Sequence, residues 1–150
     1  MKFTPGKLNT FLLFKLPSAF ITGVRVQQID AQQCTVRVRH RWINQNPFKS
    51  MYFAVQAMAA ELTTGALVML HIAESGKKIS MLVANNKGTF TKKARGKITF
   101  TCSDGHLIAD AIAQTLATGT GQTFWMKSTG IDEAGDVVSV IEFEWSVRAK

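Results

Sequence analysis

Hydrophobic and polar positions follow two different rhythms along this chain. Residues 24–30 and 33–42 alternate with a period of two. In the second stretch Cys34, Val36, Val38 and His40 share one face, and Thr35, Arg37, Arg39 and Arg41 share the other. That is the pattern of a half-solvated antiparallel strand with a basic outer ladder. The short Ala31-Gln32 link suits a hairpin. Residues 51–72 then form the longest apolar run, with no proline and one carboxylate, Glu61, before His71. A segment apolar on every side is a helix buried all round. Ser50 is placed to cap it and Gly76 to stop it.

The two-residue rhythm returns at residues 78–92, with a turn signal at 85–88, and at residues 95–103. Leu107, Ile108, Ala111, Ile112 and Leu116 then recur at helical spacing, capped by Ser103 or Asp104 and ended by Gly119 and Gly121. Strands at 122–128 and 136–148 flank the turn Asp132-Glu133-Ala134-Gly135. In the last strand Val137, Ser139, Ile141, Phe143, Trp145 and Val147 line one face. The order is strand pair, long helix, strand pair, shorter helix, strand pair. This predicts an α+β domain over residues 1–150, with an antiparallel sheet wrapped round the central helix at about residues 50–72.

Composition narrows the class. The 150 residues are 46% hydrophobic, enough for a packed globule. The net charge of +8 favours anionic partners, but the basic residues are scattered, so nucleic acid is not the favoured one. Cys34 and Cys102 fall on apolar strand faces, as expected of reduced thiols in a cytoplasmic protein. Residues 7–23 are apolar only in patches, broken by Lys15 and Pro17. They read as part of an amphipathic helical segment over residues 1–20, with Leu8, Phe11, Leu12 and Lys15 at helical spacing, rather than as a cleaved leader. Residues 51–72 could span a bilayer by length, yet Gln56, Glu61, Thr63 and Thr64 lie at their centre, which argues against insertion. The three histidines are dispersed, and neither a metal site nor a Ser-His-Asp set is expected.

Glu61 is the residue that needs a reason. An ionised carboxylate in an apolar helix is costly unless paired, hydrogen-bonded or protonated. Stepping by three or four places Ser50, Ala54, Ala57, Glu61 and Thr64 or Gly65 on one stripe, small apart from the glutamate. Such a stripe either packs closely against another element or leaves a groove for a ligand.

Three pieces of sequence resemble a known family. They are Asn46-Pro47-Phe48-Lys49-Ser50-Met51-Tyr52-Phe53-Ala54 with Ala59-Ala60-Glu61-Leu62-Thr63-Thr64-Gly65; Phe90-Thr91-Lys92-Lys93-Ala94-Arg95-Gly96-Lys97-Ile98; and Asp132-Glu133-Ala134-Gly135-Asp136-Val137-Val138 with the Trp145 strand. In this order they resemble the hotdog-fold acyl-CoA thioesterases, and within them a subfamily of small stand-alone proteins of unknown function near the phenylacetate-pathway thioesterases. In the family's enzymes a His-Gly-Gly stretch opens the central helix, and a carboxylate follows nine positions after that His. Here Tyr52-Phe53-Ala54 fills that stretch, so the His and glycines are missing, while Glu61 keeps the carboxylate.

The resemblance implies a hotdog fold, a homodimer or dimer of dimers, and hydrolysis of acyl-CoA or acyl-carrier-protein thioesters at the dimer interface, without a cofactor. In that reading Glu61 activates water and the backbone N–H groups of Tyr52 and Phe53 hold the oxyanion. Asn46, Ser50, Ala54, Ala57, Thr64, Lys92, Lys93 and Arg95 contact substrate, the last three cations meeting the coenzyme A phosphates. Nine helical residues span about 13.5 Å, so one helix cannot bring Tyr52 and Glu61 to the same carbonyl. A two-subunit site removes the conflict. The alternative is a non-catalytic hotdog protein that binds an acyl or other hydrophobic ligand.

Overall fold

The computed structural model describes residues 2–150. Two short helices, α1 (Pro5–Lys15) and α2 (Pro17–Ile21), precede the hairpin β1 (Arg25–Ile29) and β2 (Cys34–Arg39). A 3₁₀ turn at Trp42–Asn44 leads to the central helix α3 (Phe53–Ser75). Then follow β3 (Ile79–Phe90), β4 (Lys97–Cys102), α4 (Gly105–Thr118), β5 (Gln122–Ile131) and β6 (Val137–Ala149). The strands form one six-stranded antiparallel sheet in the order β1-β2-β4-β5-β6-β3. It curls round α3, as the alternation of the strands and the all-round apolarity of the helix require. Val36, Val38, Ile98, Phe100, Met126 and Trp145 face inward against Ala59, Leu67 and Val68 of the helix. Helix α3 is long and apolar enough to cross a membrane, but here it is mostly buried as the core of the sheet.

The helix starts later than the Ser50 cap implies. Ser50 lies two residues before the cap position, and its hydroxyl donates to Asn46 Oδ1 at 3.1 Å within the preceding turn. Met51 stays extended because its N–H donates to the Ala94 carbonyl at 2.8 Å. Tyr52 becomes the cap residue, with no side-chain cap, and the helix ends at Gly76 in the left-handed conformation (φ 66°). That left-handed glycine is the expected stop.

The break expected at residues 85–88 is absent: β3 runs through it. Asn86, Lys87 and Gly88 pair with Phe143, Glu142 and Ile141 of the long β6, and this tertiary pairing overrides local turn preference. A register shift between Val83 and Asn85 leaves Ala84 as an extra residue in the ribbon. β5 likewise extends to Ile131, because Thr129–Ile131 pair with β4 as well as β6. Val137 does not face the core as expected, and is exposed. The register shifts where Ile131 pairs with Val137, so Val138 is an extra residue and both it and Ser139 are buried.

The edges of the sheet are treated differently. On β1, the Asn9 side chain of α1 bonds Val26 through both its amide and its carbonyl, at 3.1 and 2.8 Å. β3 pairs only with β6, and its other side is open; from Ala84 to Phe90 every residue is exposed.

Candidate active site

The loop before α3 is built by Asn46. Its Oδ1 accepts from the N–H groups of Phe48 and Ser50 at 2.9 and 3.2 Å and from the Ser50 hydroxyl, and its amide donates to the Met51 carbonyl at 3.3 Å. Asn46 thus spends its side chain on the turn, which is the usual occupation of a loop asparagine. Lys49 in this turn has a positive φ of 58°.

This turn, the helix start and the end of β3 enclose a cavity of about 480 Å³. Asn46, Ser50, Tyr52, Phe53, Lys92 and Lys93 line it, six of the residues named from sequence. Gln56, Phe90 and Thr91 line it too and were not anticipated. The Tyr52 and Phe53 rings meet edge to face at 5.1 Å, and Phe53 meets Phe90 in the same way at 6.1 Å.

Of the two N–H groups expected as donors, only that of Phe53 is unpaired among the described residues. The Tyr52 N–H donates to the Asn44 carbonyl at 2.9 Å and is spent. Val55 and Gln56 donate to the Tyr52 carbonyl. The N–H groups of Phe53 and Ala54 have no acceptor among the described residues. These are the unpaired donors that every helix start leaves, and they carry its partial positive charge.

The cations also separate. Lys92 Nζ lies 2.6 Å from Asp132 and 2.7 Å from Asp136, a clasp across the β5–β6 turn. The Lys92 ammonium holds the Asp132 carboxyl below its ordinary range. Arg95 Nε donates to the Lys49 carbonyl at 3.2 Å and does not line the cavity. Lys93 makes no ion pair among the described residues and rests near the Phe48 ring.

Glu61 faces elsewhere. It lines a second cavity, of about 250 Å³, under the elbow between α1 and α2, with Leu12, Leu16, Ala19, Met58 and Leu62. Neither carboxylate oxygen has a hydrogen-bond or ion-pair partner among the described residues, although Lys15 lines the same cavity. Burial pushes its carboxyl pKa above the ordinary value. The two cavities share no lining residue. Phe53 and Glu61 are eight residues apart, about 12 Å along the axis.

The small-residue stripe resolves into two parts. Ala54 and Ala57 are half-buried, whereas Thr64 and Gly65 are packing residues. The Thr64 hydroxyl accepts from Trp145 Nε1 at 2.8 Å and donates to the Glu61 carbonyl. A Cβ on Gly65 would lie 3.2 Å from the Trp145 ring and 3.1 Å from Glu61 Oε1. Trp145 therefore closes the stripe below Glu61.

Gln56 is the polar residue that sequence reasoning passed over. It is buried, and its Oε1 accepts from the Ser139 hydroxyl at 2.8 Å. A polar side chain inside the same apolar run as Glu61 was the available signal. Among the described residues no cluster of three His, Cys, Asp or Glu side chains could hold a metal ion.

A sheet of this order curled round one long helix is the hotdog fold. It is shared over nearly the full length with solved structures of low identity. A Pseudomonas aeruginosa protein of unknown function, described as a probable thioesterase, is 21% identical with a TM-score of 0.80, covering 98% of this chain and 97% of that one. A protein of unknown function from Chlorobaculum tepidum is 13% identical with a TM-score of 0.82, covering 97% and 94%. A thioesterase from Haemophilus influenzae is 16% identical with a TM-score of 0.73, covering 99% and 93%. No curated protein matches. Residues 7–147 match the family described as Domain of unknown function (DUF4442), and the chain belongs to it.

Proposed function

We propose that this protein is a thioesterase that hydrolyses acyl thioesters of coenzyme A or acyl-carrier protein, at sites each built from two subunits. One observation carries the proposal. A single helix bears two unpaired donors at its start and a half-buried, unpartnered carboxylate eight residues on, opening on separate cavities. Each half lacks what the other supplies.

In the proposed site the thioester carbonyl oxygen meets the N–H groups of Phe53 and Ala54, aided by the helix dipole. Lys93 meets phosphates of the coenzyme. Glu61 of the partner subunit takes a proton from water as the water oxygen bonds to the carbonyl carbon. The tetrahedral intermediate then expels the thiolate, breaking the C–S bond, and the thiol leaves with the proton from that glutamic acid. A carboxyl whose pKa is raised by burial is a stronger base than an ordinary one, which suits this role. A cytoplasmic location belongs to the same proposal, supported by the two buried free thiols.

The test is a panel of acyl-CoA thioesters of different chain lengths, followed by Glu61→Gln. Turnover of at least one member, lost in the variant, supports the proposal. No turnover with any thioester, or full activity in the variant, removes it. Light scattering must also report at least a dimer. The second reading is a binder of fatty acyl groups, favoured by the apolar α1–α2 lining around Glu61. Thermal stabilisation by a fatty acid, without turnover of its CoA ester, would select it.

A further inference from the structure

The outer face of the sheet at its β1-β2-β4 end carries five cations. Arg25 stands directly opposite Arg37 across β1 and β2, and Arg39 opposite Lys97 across β2 and β4. Side chains in such register have Cβ atoms about 5 Å apart, and like charges placed so are destabilising. Arg41 lies one pleat beyond Arg39, its guanidinium over Gly23. With Gly23 and Val38 the five line a concavity of about 310 Å³.

No ion pair among the described residues neutralises them. Among the described residues, ion pairs involve only Lys87 and Lys92. Glu133 does approach, but its Oε1 accepts from the Lys97 backbone N–H at 2.8 Å. Arg25 is held by neutral groups: Nη1 donates to the Phe20 and Val24 carbonyls, each at 2.8 Å, and the guanidinium stacks 3.7 Å over the Phe20 ring. Burial and the charge of Arg41 both press the Arg25 pKa downward. A merely solvated basic surface accounts for scattered cations. It does not account for two opposed like-charge pairs round one concavity, with one member fixed in place.

We propose that this concavity binds the multiply charged phosphate group of a small ligand, of the pyrophosphate class. Guanidinium groups match phosphate oxygens bidentately, and four of the five cations are arginines. The site is a compact hollow rather than a track along the surface, which favours a compact polyanion over a nucleic-acid strand. Val36 and Val38 point to the core, and Arg37 and Arg39 point away from it. The sheet therefore stands between this hollow and α3, and the two sites are independent.

The test titrates the full chain with inorganic pyrophosphate by calorimetry, at about 150 mM salt, where free charges are screened beyond roughly 8 Å. A saturable isotherm near one site per chain is expected. The double variant R37Q/R39Q should weaken it by roughly tenfold or more, since it removes two charge-assisted partners. Both side chains are exposed, so the variant should fold. Without added anion it should melt no lower than the parent, because like-charge repulsion is relieved. Adenosine 5′-diphosphate binding more tightly than pyrophosphate assigns the group to a nucleotide; equal or weaker binding assigns it to a bare phosphorylated metabolite. Absence of a saturable isotherm with pyrophosphate, or unchanged affinity in the variant, would overturn the proposal. So would binding confined to a single-stranded oligonucleotide with steep salt dependence.

Discussion

Gln56 and Ser139 form a buried hydrogen bond between the first turns of α3 and the last strand, and a double-mutant cycle should expose it. The Ser139 hydroxyl donates to Gln56 Oε1 at 2.8 Å, and both side chains are buried. The Gln56 amide has only a 3.5 Å contact with the Met51 carbonyl, which Asn46 also serves. Ser139→Ala leaves a buried amide oxygen without its donor, and Gln56→Leu leaves a buried hydroxyl without its acceptor. Each should cost about 1–3 kcal/mol, the penalty of an unpaired buried polar group. Replacing both partners by apolar groups should be nearly neutral. The double variant should therefore be more stable than the sum of the single losses by about 2–6 kcal/mol, both single penalties together. In a chain of this length each kcal/mol moves Tm by about 2–4 °C. Urea unfolding at one fixed protein concentration measures all four species. Additive losses within about 0.5 kcal/mol would refute the coupling. Thioester hydrolysis adds a second reading from the same proteins. If Gln56 only holds the helix start against the sheet, the double variant keeps its activity. If Gln56 touches substrate, activity is lost although stability has returned.

Other outcomes follow from single residues. Glu61→Gln should be more stable than the parent near pH 7. The raised carboxyl pKa means the folded state holds its proton longer than the unfolded one, so parental stability falls as pH climbs from the ordinary carboxylate range through the raised value. The difference between the two proteins should close below that range, and a thermal-melt series against pH checks it; a gap that widens in acid refutes the sign. Lys93→Gln should raise KM for acyl-CoA while Lys92→Gln changes it less, because Lys92 is already held by Asp132 and Asp136. Steady-state kinetics on the two variants decides between them, and the reverse order counts against the placement of the phosphates. Cys34 and Cys102 should resist a thiol reagent at pH 8 and both react after denaturation, since burial pushes each thiol up to about 12. Gly105→Ala should abolish soluble expression: its Cβ would enter the Ala31 carbonyl and lie 2.9 Å from the Gln32 Cα, both of them backbone.

The rhythm of the chain was enough to place every strand and the two long helices, because burial on one face or on all faces sets that rhythm directly. What it could not carry was competition between partners. Ser50 has the chemistry of a helix cap, but the bond from the Met51 N–H to the Ala94 carbonyl keeps the chain extended past it. Residues 85–88 have the chemistry of a turn, but pairing with Glu144, Phe143, Glu142 and Ile141 of β6 keeps them in the strand. The candidate site divided in the same way. Glu61, Phe53 and Lys93 kept their freedom, whereas Asn46, Tyr52, Lys92, Arg95 and Thr64 proved committed to partners in the fold. Residue type foretells what a side chain can do; only its neighbours tell whether that capacity is still unspent.

The open side of β3 has a consequence that can be read by isotope labelling. In an antiparallel edge strand alternate amides point to the neighbour and the rest point outward. Along β3 the inward set is locked to β6, while the outward set meets only water in an isolated chain. Deuterium should therefore enter β3 in a two-residue alternation, fast then slow. Covering that edge with a second copy would erase the fast set without touching the slow one. The strand thus carries its own record of whether the chain is alone.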